Sequence, residues 1–221
     1  MTKRVERGAS EPPGLFTLFL KLTGRRCLVV GAGAIAESKI ESLLRAGARV
    51  KVVAPEATEK VQGWARAKQI VWRERAYRTA DMGGSFMVIA ATSSSKLHRA
   101  IFRQARRDGI LCNAVDDPPN CDFYYPAVVR RGSLQIAIST GGESPSLAAR
   151  LRAELERQFG PEYGPWVKRL GRERAGILRR VLDPAMKRNV LHRQSSAAEF
   201  RAFRRGKSTP VRSKQAHPPN R

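Results

Sequence analysis

Between residues 26 and 55 the chain switches between two hydrophobic periods. "RCLVV" is a short apolar run that stops at Gly31-Ala32-Gly33. Beyond it Ala36, Ile40, Leu43 and Leu44 recur at helical spacing, Gly47 interrupts them, and "RVKVVAP" is apolar again. The pattern predicts strand, helix, strand. The same order returns over 85–117, "SFMVIAATSSSKLHRAIFRQARRDGILCNAVDD". Here an apolar strand runs from Phe86 to Ala91, a break falls at Thr92 and Ser93, and a helix and a strand "ILCNAV" follow, separated by Gly109. Strands that alternate with helices imply right-handed crossovers and a parallel sheet.

The pattern changes after residue 126. "VVRRGSLQIAIS" predicts a hairpin with Arg-Gly at its turn, and "STGGESPSLAARLRAELE" predicts a polar glycine loop feeding a helix, with Ser144 as cap and Pro145 at the first helical position. "LAARLRAELERQF" and "WVKRLGRERAGILRRVL" are amphipathic, and the stretch Gly160 to Pro165 separates them. "DPAMKRNVLHR" restarts with an Asp-Pro helix opening. Beyond Gly206 the Lys, Pro and Ser content predicts a disordered basic tail.

Gly31, Gly33 and Ala36 give G-x-G-x-x-A within strand–turn–helix–strand, the context a dinucleotide fingerprint requires. The glycines let the backbone approach a pyrophosphate, and the first-turn amides of the helix offer unpaired N–H groups to it. The acid usual at the end of the second strand is displaced: Val53-Ala54-Pro55 is apolar and Glu56 lies just beyond. Glu56 either reaches a ribose hydroxyl or is a solvated loop residue. In a parallel sheet, ligands bind at the carboxyl ends of the strands, so Gly31, Thr92 and the residues after Val115 should share one edge. Asp116 then faces the nucleotide. Asp116-Asp117-Pro118 alone is a turn signal. A carboxylate at that edge, covered by Phe123, Tyr124 and Tyr125, is also a general-base candidate. Ser139, Thr140, Gly141 and Gly142 form either a second anion-binding loop or a plain capping loop.

Composition changes the picture mainly through charge. The 221 residues carry a formal net charge of +23, so the surface attracts polyanions, whether nucleic acid, anionic lipid or a small polycarboxylate. Part of that excess belongs to the tail: from Lys187 onward there are ten Lys and Arg against one acid, Glu199. No zinc-finger spacing, RNA-binding aromatic motif or helix-turn-helix pattern accompanies the charge, which weighs against nucleic acid as partner. Cys27, Cys112 and Cys121 are odd in number and lack C-x-x-C spacing, so a cytoplasmic protein without disulfides or a paired-thiol zinc site is expected. No apolar window reaches membrane-spanning or signal-peptide length, and no membrane association is expected. His98, His192 and His217 lack mutual metal-site spacing and are expected at the surface, with no metal site.

The ordered set "VVGAGAIAESK", "AGARVKVVAPE", "IAATSS" and "CNAVDDPPNCDFYYPAVVRRGSLQIAISTGGESPSLAARLR" resembles the precorrin-2 dehydrogenases, including the dehydrogenase–ferrochelatase module of sirohaem synthases, over roughly residues 14 to 205. The resemblance implies an α/β fold with three parts and a tail: a Rossmann-like NAD-binding domain over 1–116, a small β dimerisation region over 117–148, a helical substrate domain over 149–205, and the tail over 206–221. It implies oxidation of precorrin-2 to sirohydrochlorin with NAD as cofactor, and leaves open whether the chain also inserts Fe²⁺. Asp116 matches the catalytic aspartate. Ala34 and Ile35 match positions beside the NAD phosphates, and Pro55 with Glu56 positions near the ribose. Asn113, Ser139, Thr140 and Gly141 are the expected substrate contacts. Ser93, Ser94 and Ser95 depart from the acids that many relatives carry after "AAT". A nicotinamide-sensing regulatory domain would share the first 115 residues but would need neither the covered acid nor the second glycine loop.

Overall fold

The computed structural model describes residues 14–180 and 183–206; the expected tail falls on 207–221, outside the described residues. The chain divides into two compact units, Met1–Tyr125 and Pro126–Arg221.

The first unit is built from β1 (Arg26–Val30), α1 (Ala34–Arg45), β2 (Arg49–Ala54), α2 (Glu59–Arg66), β3 (Ile70–Glu74), β4 (Met87–Ala90), α3 (Ser95–Arg107) and β5 (Leu111–Ala114). The strands form one parallel sheet in the order β3-β2-β1-β4-β5. Alternation along β1 sorts the core: Cys27 and Val29 meet Ala36, Ile40 and Leu43 of α1 on one face, while Leu28 and Val30 meet Ile101 and Ala105 of α3 on the other. The sheet is thus covered on both sides, as its continuous apolar strands demand. Gly47 ends α1 with a φ of +76°, donating to the Leu44 carbonyl. The sequence pattern had left α2 and β3 unassigned. α2 buries Val61, and β3 is an edge strand, whose exposed Val71, Arg73 and Glu74 break any apolar alternation.

The second unit opens with β6 (Ala127–Arg131) and β7 (Leu134–Ile138), an antiparallel pair joined by Gly132 and Ser133. The turn is therefore Gly-Ser, one residue later than the expected Arg-Gly. Arg131 instead pairs with Leu134 and sends its guanidinium to the carbonyls of Phe159 and Glu156, at 2.7 and 2.9 Å, neutralising the carboxyl end of α4 (Pro145–Gln158). Ser144 caps α4 through the Leu147 N–H, with Pro145 following. α5 (Tyr163–Arg180), α6 (Pro184–Gln194) and α7 (Ala197–Arg204) complete the unit. Tyr163, Trp166, Phe200 and Phe203 stack between α5 and α7, and the Asp183 carboxylate caps α6. Among the described residues no helix is long and apolar enough to cross a membrane.

One buried carboxylate anchors the turn before β4. Asp81 accepts two hydrogen bonds from Arg75, at 2.7 and 2.8 Å, one from the Arg78 N–H and an ion pair from Lys51 at 2.8 Å. The Arg75 guanidinium foremost, with Lys51 and the Arg78 amide, holds the Asp81 carboxyl far below the usual carboxylate range. A depressed native value means stability that is present above the unfolded carboxyl value, near 4, and is lost as pH falls through the native one. Asp81→Asn should therefore lower unfolding stability at pH 7 by about 2 kcal/mol, since one partner of a largely buried pair is removed. In urea titrations the gap between parent and variant should narrow when the pH is brought to about 3.

Candidate functional site

The carboxyl ends of β1, β4 and β5 frame a cavity of about 700 Å³, within the size range of small-molecule sites. It opens between β1 and β4, where the crossovers leave the sheet in opposite directions. Gly33, Ala34 and Ile35 supply one wall, Thr92, Ser93 and His98 another, and Asp116 and Asp117 the third.

The two glycines act differently. Gly31 has a φ of +105°, and a Cβ on it would overlap the Ala91 carbonyl. Its bareness lets β1 and β4 lie together. Gly33 is the N-cap of α1, a Cβ there would meet nothing within 4 Å, and no side chain caps the helix. The orphan N–H groups of the first turn, at Ala34 and Ile35, are thus left to an anion placed in the cavity. These observations fit the diphosphate of a nicotinamide dinucleotide.

Thr92 lines the cavity, and Ser94 caps α3 through the Leu97 N–H. Pro55 and Glu56 are exposed at the end of β2, outside the cavity wall; the Thr58 N–H, bonded to the Ala32 carbonyl at 3.1 Å, ties their loop to the glycine turn. Asp116 enters the cavity with a φ of +59°, a left-handed conformation that Asp tolerates better than most residues. Its side chain has no hydrogen bond or ion pair among the described residues. Asp117 is held by the Asn120 amide at 2.9 Å. Ser139, Thr140 and Gly141 belong to the second unit, where the Thr140 hydroxyl accepts from the Ser144 N–H.

Three expectations change. Asn113 is buried, and its amide donates to the Phe123 carbonyl at 2.8 Å and to Cys121 Sγ at 3.4 Å, so it pins the loop after β5 and does not reach into the cavity. The aromatic cover is also elsewhere: none of Phe123, Tyr124 and Tyr125 lines the cavity. Phe123 packs into the core, and Tyr125 lies under the Lys39 ammonium, 3.9 Å from its ring centroid. Burial lowers the Lys39 pKa, against the pull of the Asp116 carboxylate. Burial likewise pushes the Cys112 thiol up to about 12, far from a reactive thiolate.

His98, expected at the surface, is 4% exposed and forms part of the cavity wall. Its Nε2 accepts from the Thr92 N–H at 3.4 Å, and its Nδ1 lies 3.7 Å from Asp117 Oδ2. The signal was present in the helical period, because His98, Ile101, Phe102 and Ala105 share one face of α3. Among the described residues no three His, Cys, Asp or Glu stand close enough to hold a metal.

A doubly wound sheet with an uncapped glycine turn at its switch point defines a dinucleotide-binding α/β protein. Residues 18–127 match the family model described as putative NAD(P)-binding, and residues 131–158 match the central region of sirohaem biosynthesis proteins. The siroheme synthase of Nitrosococcus oceani is 38% identical over 164 residues, covering 74% of this chain and 35% of the relative. Siroheme synthase 1 of Pectobacterium atrosepticum is 39% identical over 172 residues, covering 77% and 36%. The chain therefore spans about a third of the length of these curated relatives. The solved structure of SirC, a precorrin-2 dehydrogenase, superposes with a TM-score of 0.72 at 27% identity, covering 87% of this chain and 98% of SirC. The chain thus joins an NAD(P)-binding domain to a sirohaem-biosynthesis central region, in the fold of the precorrin-2 dehydrogenase SirC.

The two glycines separate experimentally. Gly31→Ala should lower the melting temperature, because the new Cβ and the Ala91 carbonyl cannot share one place. Gly33→Asp should fold and melt like the parent, yet weaken reduced-nicotinamide binding by about tenfold or more through charge repulsion at the helix terminus, measured by fluorescence titration.

Proposed function

We propose that this chain binds a nicotinamide dinucleotide in the β1–β4 cavity and oxidises precorrin-2 to sirohydrochlorin, with Asp116 accepting the proton. The observation that carries the proposal is the meeting, in one cavity, of the uncapped start of α1 and a carboxylate without a hydrogen-bond partner. Likeness to SirC supplies the substrate class.

Ala34 and Ile35 would hold the diphosphate through backbone amides, with Gly33 giving it room. Glu56, at the end of β2, suits the ribose hydroxyls and disfavours a phosphate there. Lys51, the nearby cation in the same strand, is committed to Asp81. NAD is accordingly favoured over NADP. The bound nicotinamide supplies the hydride acceptor. The Asp116 carboxylate takes the proton lost from the tetrapyrrole, and its left-handed backbone aims it into the cavity. The substrate's eight carboxylates give a chain of charge +23 an attraction that requires no nucleic acid. Ser139, Thr140 and Gly141 are proposed to meet those carboxylates. A cytoplasmic setting suits three free thiols.

Asp116→Asn retains shape and tolerates the same φ, so it isolates the charge. Turnover of precorrin-2 should fall by about a hundredfold or more while the dissociation constant for NAD stays put. Asp117→Asn should lose much less. An unchanged rate in Asp116→Asn would overturn its role, and absence of NAD reduction in the parent protein would overturn the activity. Repeating both assays with Fe²⁺ and sirohydrochlorin decides whether iron insertion is a second activity and whether it uses Asp116.

The hairpin is proposed as the seat of a homodimer. A two-stranded sheet has little stability of its own, and Leu134, Ile136 and Ile138 remain only partly buried. Sedimentation at micromolar concentration should give a dimer; a fully active monomer would refute it.

A further inference from the structure

The imidazole of His98 touches two cavity walls at once. Thr92 follows the last ladder bond of β4, in which the Ala91 N–H donates to the Val30 carbonyl, so the Thr92 N–H has no strand to pair with. His98 Nε2 accepts it at 3.4 Å. A nitrogen that accepts carries a lone pair, so the proton of the neutral ring resides on Nδ1. Nδ1 is 3.7 Å from Asp117 Oδ2, the oxygen that the Asn120 amide also grips. On the far side of Thr92, its Cγ2 lies 3.3 Å from where a Gly31 Cβ would stand, so the turn that His98 holds also borders the glycine turn. The other end of the contact is the residue next to Asp116. An aliphatic side chain at this buried helical position would pack as well, and it would leave the Thr92 N–H without its acceptor.

We propose that His98 is a positioning residue, fixed as the Nδ1–H tautomer, whose two nitrogens separately set the cofactor wall at Thr92 and the Asp116–Asp117 turn. The proposal rests on the function proposed above for its kinetic consequences alone. The tautomer and the nucleotide affinity are independent of the substrate.

Two substitutions divide the ring. Gln places a carbonyl oxygen near the position of Nε2, so His98→Gln keeps an acceptor for Thr92 and gives up the contact to Asp117. Asn places its amide near Nδ1, so His98→Asn does the reverse. His98→Asn should raise the dissociation constant of reduced nicotinamide dinucleotide, read by fluorescence, by about five- to tenfold, the usual weight of one hydrogen bond, and change kcat by less. His98→Gln should shift that constant by less than about threefold and lower kcat on precorrin-2 by about five- to tenfold. Nitrogen-15 spectra of the parent protein at pH 8 should show His98 protonated on Nδ1. Equal losses of affinity and kcat in both variants, or a proton on Nε2 in the parent, would overturn the proposal. Should either variant fail to fold, the tautomer of the parent still decides. A parent protein inactive on precorrin-2 would sink the proposed reaction, while the affinity split and the tautomer would still be read.

Discussion

The site depends on the close approach of the Gly31 backbone to the Ala91 carbonyl. β1 and β4 run side by side from Cys27–Met87 to Val30–Ala90, and the ladder continues in the Ala91 N–H bond to the Val30 carbonyl. Any Cβ on Gly31 would force them apart. From this seam α1 departs over one face and α3 over the other, so the chain opens a crevice at the carboxyl edge. The site is a consequence of that divergence. Apolar strands sheathed on both sides make the divergence obligatory, because neither face can be left to water.

In the first unit the acids have separate duties. Asp81 is surrounded by cations and holds a turn, Asp122 accepts the Cys112 N–H at 2.9 Å, and Asp117 is bonded to Asn120. Each spends its charge on backbone or side-chain donors. Among the described residues Asp116 has no such donor. A carboxylate on the cavity wall without a hydrogen bond adds none to the local network, and its left-handed backbone adds a cost. A carboxylate with no hydrogen bond to hold it is where chemistry is to be sought.

Much of this was legible in sequence, for physical reasons. The period change at Gly31, the stop at Gly47 and the repeat over 85–117 follow from strands buried on both faces and helices with one buried stripe, so pattern reading found β1, α1, β2, β4, α3 and β5. α2 and β3 escaped because an edge strand with charged residues and a helix burying only Val61 carry little periodicity. His98 was misplaced for another reason. Histidine is polar by type, and only its register with Ile101 and Ala105 reveals that its ring is covered. Asn113 shows the opposite sense: a polar residue near a site looks like a ligand contact, whereas its buried amide donates to the Phe123 carbonyl.

The neighbouring Asp116 and Asp117 show how one turn makes two acids unlike. Were the strand to continue in extended form, alternation alone would send them to opposite faces. Instead the Asp117 N–H returns to the Ala114 carbonyl, Asp116 takes the left-handed conformation, and the turn of Pro118–Asn120 follows at once. Pro118 cannot donate a further ladder bond, so β5 ends here whatever the side chains prefer. Ending the strand this way leaves the second acid where Asn120 and His98 can engage it and the first exposed on the cavity wall. The turn-forming chemistry of Asp-Asp-Pro and the exposure of an unbonded carboxylate are therefore the same event: the turn is what delivers the carboxylate.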